Sequence, residues 1–239
     1  MKNIFILPFI FIVFLSCKTI DTKKLGSVLD LPSANKELTE HEVIEGLKEA
    51  LDIGTQKSVS SLSQTGGFWN NSIFRIPIPD KFNTVKEKLI DLGMSSQVNE
   101  FHQRINTAAE KASSQAVPIF KNAITGMSIQ DAFSILKGTD TSATHYFRTK
   151  TQSDLRNAFM PVIKKSMDQA QLTSLYNNLI SKYNQIPFVK KFEFSLEDYI
   201  ADQALSALFT QIAQEEQKIR KDPVARTTDI LKRVFGYKK

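Results

Sequence analysis

The chain has 239 residues, a formal charge of +6, 41% hydrophobic and 23% charged residues, and a single cysteine. Such figures belong to a globular protein rather than a disordered or fibrous one, and one cysteine excludes an internal disulfide framework and a thiolate metal site. Seventeen Phe against one Trp and five Tyr point to a core rich in aromatic rings.

Lys2 is followed by an apolar run from Ile4 to Leu15 that stops at Ser16-Cys17. A positive start, a short greasy segment and a small residue before the cut read as a secretory signal peptide over residues 1–16. The run is far below the roughly 20 residues a membrane-spanning helix needs. Phe14-Leu15-Ser16-Cys17 resembles the bacterial lipobox, in which a small residue precedes an acyl-accepting cysteine, although Phe14 and Leu15 are bulkier than that pattern prefers. The expectation is therefore a lipidated Cys17 that anchors the protein to a membrane. Each buried methylene adds about 0.8 kcal/mol, so several acyl chains on one thiol hold firmly. Lys18, by resemblance to the sorting rule of enteric bacteria, implies the outer membrane facing the periplasm, with the outer face of the cytoplasmic membrane as the alternative. An exported protein leaves nucleic acid out as a partner.

Residues 17–38 are polar and read as a tether, and residues 39–239 as the domain. Thr39-Glu40-His41-Glu42 has the capping-box form, and Val43, Ile44, Leu47, Ala50, Leu51, Val59 and Leu62 recur at helical spacing up to Gly66-Gly67. From Gly66 to Pro79 the two prolines forbid a helix and a central strand, so this stretch reads as a long loop. Asp80 is positioned to cap a short helix with Phe82, Val85, Leu89 and Ile90 that Gly93 closes. A long helix is predicted over about 96–125, with Phe101, Ile105, Ala108, Ala112, Ala116, Ile119 and Ala123 inward and a kink or division at Pro118. Its alanines imply close approach by a neighbouring helix.

Ser128 and Asp131 form a second capping box for a helix that Gly138 ends. Asp140 or Thr141 starts the next, with Phe147, Leu155, Phe159, Val162 and Ile163 inward and Pro161 as its interruption. Residues 169–185 carry Leu172, Leu175, Tyr176, Leu179 and Ile180. Ser195 and Asp198 cap a long helix with Leu196, Tyr199, Ile200, Leu205, Leu208, Phe209 and Ile212 inward. Asp222-Pro223 opens a closing helix with Val224, Leu231, Val234 and Phe235. No segment alternates with period two, and the predicted fold is all-α: one irregular multi-helix bundle with one long Gly/Pro-containing loop.

Several segments in this order resemble a bacterial family of exported helical proteins described as a domain of unknown function. They are Gly66-Gly67-Phe68, Arg75-Ile76-Pro77-Ile78-Pro79, Arg104 through Glu110, Ile135-Leu136-Lys137-Gly138, Ala143-Thr144-His145-Tyr146-Phe147, Ile219 through Pro223 and Leu231 through Gly236. The resemblance runs from about Leu47 to Gly236 and implies a helical envelope protein, with no catalytic or binding residues to carry over.

The chain holds no His-Glu-x-x-His, no Gly-x-Ser-x-Gly elbow and no Gly-rich phosphate loop, and His41, His102 and His145 lie far apart. No catalytic residue, metal site or cofactor is expected. The Gly66–Pro79 loop is the binding candidate. Phe68 and Trp69 offer an apolar wall there, and Asn70, Asn71 and Arg75 offer polar recognition. The competing structural role has Phe68, Ile73, Phe74 and Ile76 plugging the bundle while Arg75 pairs with a carboxylate. Arg104, Asn106 and Glu110, with His145, Tyr146 and Arg148, form a candidate buried polar network. In it Asn106 and Glu110 are spaced to satisfy each other. From Glu215 onward eight basic residues stand against four acidic ones, an excess that suits either anionic lipid or a solvated face on which charges pair at i,i+4, as Glu216 with Arg220. The function expected is a lipid-anchored, non-enzymatic module that binds an envelope protein or an apolar ligand. The alternatives are a lipid-binding protein and an enzyme on an envelope substrate, with Glu110 as the acid/base.

Overall fold

A computed structural model describes residues 39–169, 171–189 and 194–236, which fall within one compact unit. The signal segment, Cys17 and the tether lie outside the described residues, as do Lys238 and Lys239. Nine α-helices and no strand occur among the described residues.

Helix α1 (Glu40–Ser63) opens on the expected capping box: the Thr39 hydroxyl accepts from the Glu42 amide, and the Glu42 carboxylate accepts from the Thr39 amide. Those two bonds hold the Glu42 carboxyl below the ordinary carboxylate range. After the loop, a 3-10 turn (Asp80–Phe82) precedes α2 (Asn83–Asp91), so Asp80 begins a turn and does not cap the helix. Ile90 of α2, expected inward, is 42% exposed.

The predicted long helix is two: α3 (Ser95–Ser113) and α4 (Ala116–Thr125). The break falls at Ser114 and Gln115 because the Pro118 ring cannot pack against the carbonyl four residues earlier, that of Ser114. Past the break the inward stripe is Ala116, Phe120 and Ile124, not the expected Ile119 and Ala123, which are only half-buried. α5 (Ile129–Lys137) follows with its Ser128–Asp131 box intact and Gly138 at its C-cap.

α6 (Ser142–Gln169) runs unbroken through Pro161, contrary to the expected interruption. The carbonyl that Pro161 leaves without a donor belongs to Asn157, an exposed residue, where a missing helix bond costs little. α7 (Leu172–Asn184) and α8 (Leu196–Lys221) follow, the latter capped by Ser195 accepting from the Asp198 amide. Asp222 and Pro223 shape only a 3-10 turn (Pro223–Ala225), in which Val224 is 86% exposed rather than inward; the closing helix α9 starts later (Asp229–Gly236).

Helices α3, α6 and α8 pack on one another, α1 lies across α8, α3 and α4, and α9 rests on α1. Phe68, Phe82, Phe101, Phe120, Phe147, Phe159 and Phe209 are sealed inside. Phe120 meets Phe147 edge-on at 5.3 Å, and Phe82 stacks on Phe101 at 5.1 Å, geometries that add to plain burial. Ala108, Ala109 and Ala112 of α3 and Ala201 and Ala204 of α8 are buried, which lets the backbones approach closely. No described helix is long and apolar enough to cross a membrane.

Candidate functional site

Gly66 adopts φ +80°, a conformation that favours glycine, and turns the chain out of α1. A Cβ on Gly67 would come within 2.5 Å of the Leu62 and Ser61 carbonyl oxygens, so the turn closes tightly on the helix end. The loop then runs across α3, whose His102, Asn106 and Glu110 recur every four residues and so share one face.

Each of the three grips the loop backbone. Glu110, 5% exposed, accepts from the Phe68 and Trp69 amides at 3.1 and 3.2 Å through one carboxylate oxygen. Asn106, fully buried, accepts from the Ile76 amide at 2.8 Å and donates to the Ile76 carbonyl at 3.0 Å. His102 Nε2 donates to the same carbonyl at 2.8 Å. From α8, the Tyr199 hydroxyl donates to the Pro77 carbonyl at 2.9 Å. Within the loop, the Asn71 side chain accepts from the Ile73 and Phe74 amides, a side-chain turn of the kind Asn favours. Asn106 and Glu110 therefore do not satisfy each other, as their spacing suggested; each is spent on the loop.

The same clamp sorts the loop's side chains. Phe68, Phe74 and Ile76 go into the core, so Phe68 forms no ligand wall. Ile73 does not plug the bundle but is 67% exposed. Arg75 pairs with no carboxylate among the described residues: its Nε donates to the Trp69 carbonyl at 2.6 Å, and its guanidinium lies 5.0 Å from the Trp69 ring centroid. Trp69 in turn meets His102 edge-on, with ring centroids 5.1 Å apart. Burial pushes the His102 imidazole below its ordinary pKa, and the positive charges of Arg75 and Lys86 push the same way against the Ile76 hydrogen bond. Asn70 is exposed, and with Asn71 it lines a shallow open hollow beside Gly66.

The other members of the expected network lie elsewhere. Arg104 pairs with Glu100 on its own helix. His145 and Tyr146 line an open groove of about 590 Å³ between α5 and α6, where the Tyr146 hydroxyl donates to the Ala123 carbonyl at 3.1 Å. Arg148 stacks on Phe209 at 4.5 Å.

A second buried polar centre lies where α8 meets the start of α6 and the end of α5. Glu216 of α8 accepts from the Ala143 and Thr144 amides and the Thr144 hydroxyl, at 2.9 to 3.0 Å, and so caps the start of α6 from another helix. Its partner Arg220, at 2.9 Å, also donates to the Ile135 carbonyl near the end of α5. The pair stood out only as an i,i+4 spacing at the surface of a basic segment. That segment's charge is largely committed: Lys218, Lys221, Lys232 and Arg233 face Glu215, Asp140, Asp229 and Glu42, and Arg226 donates to the Ile219 and Arg220 carbonyls.

Among the described residues no group of three or more His, Cys, Asp or Glu side chains is placed to hold a metal ion. Fold and site together define an all-α bundle domain that fixes one irregular loop against a polar helix face. The chain belongs to the family described as Protein of unknown function (DUF4197), whose model matches residues 37–236. The match begins ahead of Leu47 and takes in all of α1. Comparison with curated proteins and with solved structures finds no match.

Proposed function

We propose that this is a lipid-anchored helical module of the bacterial cell envelope that binds a partner protein through the Gly66–Pro79 loop. The observation that carries the reading is the division of that loop into a clamped inner side and a displayed outer one. Glu110, Asn106, His102 and Tyr199 hold its backbone, while Ile73, Arg75 and Asn70 stand outward. A loop ordered before binding loses less entropy when a partner arrives, which is how rigid scaffolds present recognition residues. The anchor rests on the lipobox resemblance at Cys17 and the polar tether behind it.

A protein partner is favoured over an apolar ligand by the interior packing. An apolar, partly open hollow between α1, α6, α8 and α9 measures about 20 Å³, room for one water and not for an acyl chain. Catalysis by Glu110 is disfavoured because two loop amides already occupy one of its oxygens.

Two experiments test the proposal. Mass spectrometry of the protein from its native cell is expected to find a mature N-terminal Cys17 carrying thioether-linked acyl chains; an unmodified thiol on an intact leader removes the anchor. A photocrosslinker placed at Ser72 or Ile73 in living cells is expected to trap one discrete protein, and one placed at Lys57 on exposed α1 to trap none. Equal yields from the three positions would sink the loop as the binding surface.

A further inference from the structure

Resting on the loop as the binding surface, the inference concerns what chemistry the partner brings to it. Three hydrogen-bonding groups around the Trp69 ring have no partner among the described residues. The Trp69 indole N–H has no partner, Arg75 uses only Nε, and His102 uses only Nε2. Every buried side-chain nitrogen and oxygen among the described residues does have a partner, so the groups left over reach solvent. Two of them, the indole N–H and the terminal guanidinium nitrogens, are donors on neighbouring side chains, the guanidinium carbon lying 5.0 Å from the Trp69 ring centroid.

Charge is also uncompensated here. Neither Arg75 nor Lys86 forms an ion pair among the described residues, whereas most described cations around α8 and α9 do. The guanidinium is tethered by its Nε bond to the Trp69 carbonyl and lies over the indole ring, which restrains the orientation of its free edge. A planar fork restrained in this way suits a planar two-oxygen acceptor, which it meets with paired charge-assisted bonds. Ile73, exposed on the same loop, adds an apolar contact.

We propose that the Trp69–Arg75 edge of the loop is a carboxylate-recognition site, and that the partner presents to it an acidic side chain next to apolar ones. The guanidinium edge takes the two oxygens, the indole N–H adds a third donor, and Lys86 supplies favourable field.

Trp69 is the only tryptophan in the chain, so its emission reports this site alone. The full-length protein in detergent is titrated with an acetylated Leu-Glu-Leu amide, with the Leu-Gln-Leu peptide and with inorganic phosphate. The Glu peptide is expected to shift Trp69 emission saturably and the Gln peptide to bind at least about tenfold more weakly, the loss of one charge-assisted pair. Arg75→Gln should weaken the Glu peptide by a similar factor, and Lys86→Gln by a few-fold, both with unchanged melting. Phosphate saturating below the peptide would overturn the proposal in favour of a phosphate site. Equal binding of the two peptides, an unaffected Arg75→Gln, or a flat response would overturn it outright. The Ile73 crosslink reads partner binding without any peptide, so the two ideas can fail separately.

Discussion

Asn106 and the backbone of Ile76 exchange two hydrogen bonds, one in each direction, at 2.8 and 3.0 Å. The side-chain amide thus does for Ile76 what a neighbouring strand would do, in a protein whose described residues hold no strand. A buried loop would otherwise carry backbone groups that nothing satisfies. Asn106→Ala orphans the Ile76 amide, while the Ile76 carbonyl keeps the His102 donor, and one orphaned buried group costs about 1–3 kcal/mol. We expect a loss of about that size, roughly 1–3 kcal/mol, in urea denaturation. A change within experimental error would show that the loop is not held at Ile76.

Glu110 offers a sharper comparison. Glu110→Gln keeps an oxygen in front of the Phe68 and Trp69 amides and loses only the charge, so about 1 kcal/mol is expected. Glu110→Ala strands both amides, and hydrogen exchange at Phe68 and Trp69 should accelerate ahead of the rest of the domain. Uniform exchange across the chain in Glu110→Ala would contradict a local clamp.

The Glu216–Arg220 pair joins three helices. Glu216→Ala leaves a largely buried guanidinium without its carboxylate and the first amides of α6 uncapped, for an expected cost of about 3–5 kcal/mol and a melting shift on the order of 10 °C. Replacing both residues by Met and Leu should recover much of this, since apolar substitution of a buried pair is often near neutral. Thermal denaturation of the single and double variants checks it.

His102 makes stability depend on pH. Its folded pKa lies below the ordinary imidazole value of about 6.5. Between those two values the unfolded chain binds the extra proton, so its contribution is full above about 6.5 and fades as pH falls through the folded pKa. His102→Gln, whose amide can still donate to Ile76, should flatten this part of the stability profile. Trp69 emission should change with the same midpoint, since the protonating ring faces the indole. A midpoint above 6.5 would contradict the stated direction.

Ile73→Asp alters a side chain that touches little of the core, so stability should hold within about 0.5 kcal/mol. The crosslink from Ser72 should nevertheless disappear in this variant. Loss of the fold instead would assign Ile73 to packing.

Helix content, order and most boundaries were legible in the chain itself, because caps and apolar periodicity act within a few residues. Thr39 with Glu42, Ser128 with Asp131, and the Phe101-Ile105-Ala108-Ala112 stripe are local signals that the fold obeys. Pro118 divides a helix as its position predicts, whereas Pro161, expected to interrupt one, does not. The loop was visible as irregular backbone, and Asn106 and Glu110 as polar residues beside an apolar face. Their partners were not visible, since Glu110 meets Phe68 across 42 positions and Glu216 meets Ala143 across 73. His102 and Tyr199 went unrecognised for the same reason, although the four-residue repeat His102-Asn106-Glu110 was a usable sign. Local chemistry sets which segments coil; only the packed chain decides which orphaned backbone groups each buried polar side chain must serve, because that depends on what lies opposite in space.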